Sequence, residues 1–131
     1  MKKLLQDILW VACGGAVGAS MRHGTNQFVF SFMGEKYFFI ATSIENIVGS
    51  FLIGLFFTLL SRRSVKYHNV NLFLLTGVIG SYTTYSGFMI DSLILFNESI
   101  PILITYFFGQ IFVGFFALIT GMGVMKTYYK N

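Results

Sequence analysis

Residues 77–88 read Gly77-Val78-Ile79-Gly80-Ser81-Tyr82-Thr83-Thr84-Tyr85-Ser86-Gly87-Phe88, and seven of the twelve are Gly, Ser or Thr. They sit in the middle of an otherwise apolar stretch running from roughly Val70 to Phe96. At the centre of a bilayer such a run loosens or breaks a helix, freeing backbone carbonyls that must then find a partner, water or an ion. A buried cation is one solution. The other outcome is an intact helix whose Ser and Thr hydroxyls bond back to the preceding turn. Composition leaves both open.

Outward from this segment, three more stretches reach the roughly 20 residues that span about 30 Å of hydrocarbon. They run from about Leu4 to Met21, Tyr37 to Leu60 and Ile100 to Met125. With 70–96 they make four transmembrane helices that use up the 131 residues, so the expected architecture is a single all-α integral membrane domain over 1–131. Composition agrees: 55% of residues are hydrophobic and 11% charged, with a mean hydropathy of +0.71. That is too little charge to cover a soluble surface, so most of the surface must face lipid. A β-barrel would need alternating segments of about ten residues, and none appear. Expected connections are 22–36, 61–69 and 97–99, with Pro101 tolerated at a helix start. Met1-Lys2-Lys3 before an apolar run imitates a signal peptide, but the glycine-rich continuation reads as a retained first helix.

The net charge of +4 raises nucleic acid as a partner, yet the basic residues form short clusters between uncharged runs, which excludes it. Those clusters set orientation instead. Lys2, Lys3, Arg62, Arg63, Lys66, Lys126 and Lys130 fall on one side of a four-helix chain, against Arg22 and Lys36 on the other. The bias predicts both termini in the cytoplasm and a single direction of insertion. The lone cysteine, Cys13, builds neither a disulfide nor a metal site, and His23 and His68, both in expected loops, are assigned to no metal. Gly14 and Gly18, Gly49 and Gly54, and Gly109, Gly114 and Gly121 read as surfaces where helices approach closely.

Polar residues inside the spans are the candidates for function. Thr42, Asn46 and Ser50 recur every four residues as a stripe on helix two, whose amide and hydroxyls could replace water around a small anion or bond between helices. Tyr106, Gln110 and Gly114 repeat the spacing on helix four. Tyr85 and Phe88 share one helix face. Their electropositive ring edges could hold an anion without a full charge that would prevent its release. With sixteen Phe and seven Tyr, simple packing is the rival. Glu45 and Asp91 are intramembrane carboxylates, which cost about 3 kcal/mol at the bilayer centre and so suggest function. Asp91 lies near the end of its helix, within reach of water. Glu45 is deeper, on another face from Asn46, as a coupling group, ion-pair partner or protonated packing residue.

These motifs resemble the Fluc (CrcB) family of small fluoride channels. Residues Gly14 to Arg22 resemble the family's GGxxGAxxR, Ala41 to Phe51 its GTLxVNxxGSF, and Gly80 to Asp91 its GGxTTFSTFSxE. The resemblance implies an antiparallel, dual-topology dimer of four-helix subunits with helix three broken at its centre. It also implies a structural sodium ion at the dimer interface. Carried over by position, Gly80 and Thr83 would hold the sodium through backbone carbonyls, Tyr85 and Phe88 would occupy the pore-phenylalanine positions, and Asn46 would be the pore asparagine. The full anion-binding set is then Thr42, Asn46, Thr84, Tyr85, Ser86, Phe88 and Gln110, with Arg22 near a vestibule. Tyr85, Gly87, Gln110, Glu45 and Asp91 depart from the family's Phe, Thr, Ser, apolar residue and Glu. Some members work as pairs of opposite-orientation paralogues, and the charge bias is what one such half would show.

The expected function is therefore a subunit of a fluoride-selective channel in the plasma membrane, passing cytoplasmic fluoride outward and pairing with an opposite-topology paralogue. It is not an enzyme. One rival is a small proton-coupled multidrug exporter using Glu45, although helix one carries only Asp7 near its start. Another is a non-conducting structural partner that only completes a dimer.

Overall fold

The computed structural model describes residues 1–61 and 67–129. Arg62, Arg63, Lys66 and Lys130, four of the cations behind the expected orientation, lie outside the described residues. Helix α1 is Lys2–Met33, a 3-10 turn covers Glu35–Tyr37, and α2 is Phe38–Ser61. The next helix, α3, spans 68–82 and changes character along its length: α-helical at His68–Asn71, π-helical at Leu72–Ile79, α-helical again at Gly80–Tyr82. Helix α4 is Tyr85–Glu98 and α5 is Ile100–Tyr128. No strand occurs among the described residues.

Three helical stretches, Lys2–Met33, Glu35–Ser61 and Ile100–Tyr128, are long and apolar enough to cross a membrane. The first differs from the expected 4–21, because residues 22–33, read as a connection, continue the helix. Two of its polar side chains bond back to the preceding turn: Thr25 Oγ1 donates to Met21 O at 3.1 Å and Asn26 Nδ2 to Arg22 O at 3.0 Å. The helix ends at Gly34, whose φ of 85° is open to glycine and strained for other residues. At 1.5 Å per residue, its 32 residues measure about 48 Å, longer than the hydrocarbon core. The expected connection at 97–99 shrinks to Ser99, with Pro101 in the first turn of α5, where its missing N–H costs nothing.

Two helix pairs dominate the packing, α2 along α5 and α1 along the π-helical part of α3. Both are close backbone approaches at glycine. A Cβ on Gly14 or Gly18 would overlap the Phe73 or Val78 carbonyl, and one on Gly54 or Gly121 would overlap the Leu118 or Phe51 carbonyl. Small residues allow such contacts in lipid, where apolar burial gives no driving force. A Cβ on Gly109 would meet nothing within 4 Å among the described residues, so no helix of the described chain crosses closely there. A cluster of Phe88, Leu95 and Tyr106, flanked by Phe38, Phe39, Met89, Leu103 and Phe107, joins α4 to α2 and α5. Large apolar side chains are exposed along α1, α4 and α5, as suits surfaces meeting lipid or a second subunit.

Candidate functional site

Between α3 and α4 the chain is extended at Thr83 (φ −75°, ψ 154°) and Thr84 (φ −146°, ψ 114°). Asn46 of α2 grips this point with both ends of its amide. Its Nδ2 donates to Thr84 O at 3.1 Å, and Thr84 N donates to its Oδ1 at 2.8 Å. Thr84 then caps α4, its Oγ1 accepting from Gly87 N at 2.9 Å and lying 3.2 Å from Ser86 Oγ. These bonds redirect two donors. In a continuous helix the N–H of Thr84 would serve the Gly80 carbonyl and that of Gly87 the Thr83 carbonyl. Here one goes to Asn46 and the other to the Thr84 hydroxyl, so both carbonyls lose their helical partners; the Thr83 hydroxyl comes within 3.5 Å of Gly80 O while donating to Ile79 O at 3.1 Å. Gly49 makes room for this turn, since a Cβ there would overlap the Thr83 methyl.

Beside the extended pair lies a cavity of about 330 Å³, lined by Asn46, Ser50, Ile53, Thr83, Thr84, Tyr85, Phe88, Gln110 and Ile111. Among the described residues its wall carries no charged side chain. Asn46 keeps one N–H beyond the clamp, and Ser50 contributes a hydroxyl. Tyr85 and Phe88 have ring centroids 6.1 Å apart but differ in setting: Tyr85 is 75% exposed and Phe88 only 6%. Phe88 is fixed by Phe107 and Tyr106, with centroids at 5.1 and 5.5 Å.

Behind Phe88 runs a polar network. Tyr106 Oη donates to Asp91 Oδ2 at 3.1 Å, and Gln110 Nε2 donates to Ser43 Oγ at 2.9 Å. Ser43 in turn donates to Phe39 O at 2.8 Å. Asp91, expected to reach water, is instead buried at 8% exposure, with Thr42 beside it. The register of α4 against α5 places it opposite the Tyr106 hydroxyl rather than at a solvated helix end.

Of the residues singled out from the sequence, Asn46, Thr83, Thr84, Tyr85, Phe88 and Gln110 meet at the cavity. Thr42 belongs to the Asp91 network, Ser86 packs on the Thr84 cap, and Gly80 presents its carbonyl on an exposed surface. Arg22 is on α1, away from the cavity wall, its carbonyl taken by Asn26. Glu45 is 1% exposed and accepts from Asn26 Nδ2 at 2.9 Å, so it faces α1 and not the cavity. Sequence reading missed Asn26, Ser43 and the pairing of Tyr106 with Asp91. The polar stripe on α2 hinted at the last, but Asn26 was concealed in a supposed loop. At the far end of α1, His68 Nε2 lies 3.1 Å from Asp7 Oδ1. No group of three or more His, Cys, Asp and Glu able to hold a metal ion occurs among the described residues.

Comparison with known proteins gives a consistent set of relatives. The profile of a family described as CrcB-like protein, camphor resistance (CrcB), matches residues 9–122. A curated relative from Flavobacterium psychrophilum, named fluoride-specific ion channel FluC, is 32% identical over 123 residues, covering 93% of this chain and 98% of that protein. Proteins of the same name from Rhizobium johnstonii and Aeromonas salmonicida are similar too. The first is 33% identical over 94% of this chain and 98% of its own length, the second 37% over 72% and 74%.

Proposed function

The chain belongs to the CrcB-like family, and from that premise we propose that it is a subunit of a fluoride-selective channel, not an enzyme. The cavity beside the extended Thr83–Thr84 pair carries this reading, because its wall offers neutral donors and ring edges with no fixed charge. A lone cation there would trap an anion, whereas the spare Asn46 N–H, the Ser50 hydroxyl and the edges of Phe88 and Tyr85 attract it weakly enough to let it leave. Fluoride moves passively down its gradient from cytoplasm to exterior, so the protein lowers intracellular fluoride without coupling to another reaction. The relatives, named as fluoride-specific channels, support fluoride as the ion. The exporter reading is not favoured, since Glu45 is turned away from the cavity toward Asn26.

In this reading the working unit is an antiparallel dimer in the plasma membrane, and the Thr83–Thr84 interruption is a true break of the third transmembrane helix. The Gly80 and Thr83 carbonyls, deprived of their helical N–H donors, fit a hard monovalent cation such as sodium, which favours oxygen ligands. Such an ion would supply a positive charge where two subunits meet, held by these carbonyls and by the same carbonyls of a second, antiparallel chain. Seven Lys and Arg on one side against two on the other support a fixed orientation with both termini cytoplasmic. Two copies inserted the same way cannot pair antiparallel, so the partner is an opposite-topology paralogue. A bacterial host lacking its own fluoride exporters tests the reading. Co-expression of the chain with such a paralogue should restore growth on fluoride, and failure of the pair to protect would refute it.

A further inference from the structure

A second cavity, of about 400 Å³, opens between α1 and the start of α3 and is lined by Gln6, Leu9, Trp10, Cys13 and Asn69. It shares no lining residue with the cavity at Thr83–Thr84. Leu9, Trp10 and Cys13 are exposed and form its apolar part, the Trp10 ring braced edge-on by Phe73 with centroids 6.2 Å apart. Gln6 and Asn69 bring amides that can donate, next in sequence to the Asp7–His68 contact. Lys2 and Lys3 lie on the same face of α1. Lys3, Gln6, Trp10 and Cys13 follow one another at steps of three and four residues, as do Lys2, Gln6, Leu9 and Cys13, and side chains so spaced stack along one helix face. Neither lysine is neutralised by an ion pair among the described residues, and Asp7, the one acid in α1, lies 3.1 Å from His68 Nε2.

We infer that this groove holds an anionic phospholipid, with its phosphate at Lys2 and Lys3 and one acyl chain along Leu9, Trp10 and Cys13. The length fits. From Lys3 to Cys13, at 1.5 Å per residue, is about 15 Å, within the depth of one leaflet of a bilayer some 40–45 Å across. Charge then selects the lipid. A zwitterionic headgroup brings its own cation to the lysines and gains little, whereas an anionic one gains about fivefold in affinity for each lysine, or roughly twenty-five-fold for the two. The Gln6 and Asn69 amides can donate to its phosphate and ester oxygens. The site stands apart from the fluoride path and does not depend on it.

Trp10 is the single tryptophan of the chain, so its emission reports on the groove. The test places the full chain in phosphatidylcholine vesicles and titrates in either phosphatidylglycerol or phosphatidylcholine carrying a spin-label quencher on the acyl chain near the headgroup. In wild type, half-maximal quenching should need roughly twentyfold less labelled phosphatidylglycerol than labelled phosphatidylcholine. Lys2→Gln with Lys3→Gln should bring the two curves together, and Lys2→Arg with Lys3→Arg should keep them apart. For wild type, 1 M salt should close most of the gap, because the lysines are exposed and screened. Coincident curves in wild type would mean that the groove takes any lipid, and quenching by neither lipid would mean that a second protein chain covers it; each overturns the inference. A preference for phosphatidylglycerol that survives both the glutamine substitutions and the salt overturns it as well.

Discussion

Replacing Asn46 by alanine should unlock the extended Thr83–Thr84 pair. The asparagine makes two hydrogen bonds to one residue, donating to Thr84 O at 3.1 Å and accepting from Thr84 N at 2.8 Å. Thr84 is 9% exposed, so neither main-chain group has free access to solvent once the amide is gone. A buried group left without a partner costs about 1–3 kcal/mol, giving roughly 2–6 for the pair. Water entering from the adjoining cavity would reclaim part of this, which sets the expectation at about 2–4 kcal/mol. Hydrogen bonds between membrane helices average only about 0.6 kcal/mol, because partners left behind usually find others. A backbone N–H and C=O fixed between two helices have no such freedom, so the larger figure governs. In detergent the Asn46→Ala protein should unfold roughly 10 °C below wild type. Asn46→Asp, which keeps the acceptor for Thr84 N and loses the donor, should fall between. A melting temperature for Asn46→Ala within a degree or two of wild type would refute the clamp.

Tyr85→Phe removes a hydroxyl from the exposed ring at the cavity rim and should raise fluoride conductance in the reconstituted pair; an unchanged conductance would count against Tyr85 as a pore residue. Gly18→Ala drives a Cβ into the Val78 carbonyl and should destabilise by about 2 kcal/mol or more, whereas Gly24→Ala meets nothing within 4 Å and should stabilise α1 by up to about 1 kcal/mol, both read by thermal unfolding. Glu45→Gln retains an acceptor for Asn26 and should leave stability within about 1 kcal/mol, while Glu45→Leu strands the Asn26 amide and should cost about 1–3 kcal/mol in the same assay.

The long apolar helices were legible because an uncharged run of about 20 residues has few other places to go. Residues 22–33 were not, since Arg22, Gly24 and Asn26 look like a loop. Only Glu45, nineteen positions away, reveals that Asn26 has a partner on a neighbouring helix. The Gly, Ser and Thr content of 77–88 marked the segment as unusual, but not which peptide turns aside. That depends on Asn46 meeting Thr84 across 38 residues, a matter of helix register. The same holds for Gln110 and Ser43, separated by 67 residues: Gln110 stands out on the helix-four stripe while Ser43 belongs to no stripe, and only the fold brings them to 2.9 Å. Asp91 depends on the same register: its nearness to a helix end suggests water where the Tyr106 hydroxyl stands.

If this cavity is a fluoride path, the ion must cross a membrane that holds the protein and nothing else. The most direct measurement is fluoride efflux, followed with a fluoride electrode, from liposomes containing the chain co-purified with its opposite-orientation paralogue and loaded in parallel with chloride. Fluoride should leave rapidly while chloride stays; retained fluoride, or equal escape of both ions, would refute a fluoride-selective path through the cavity.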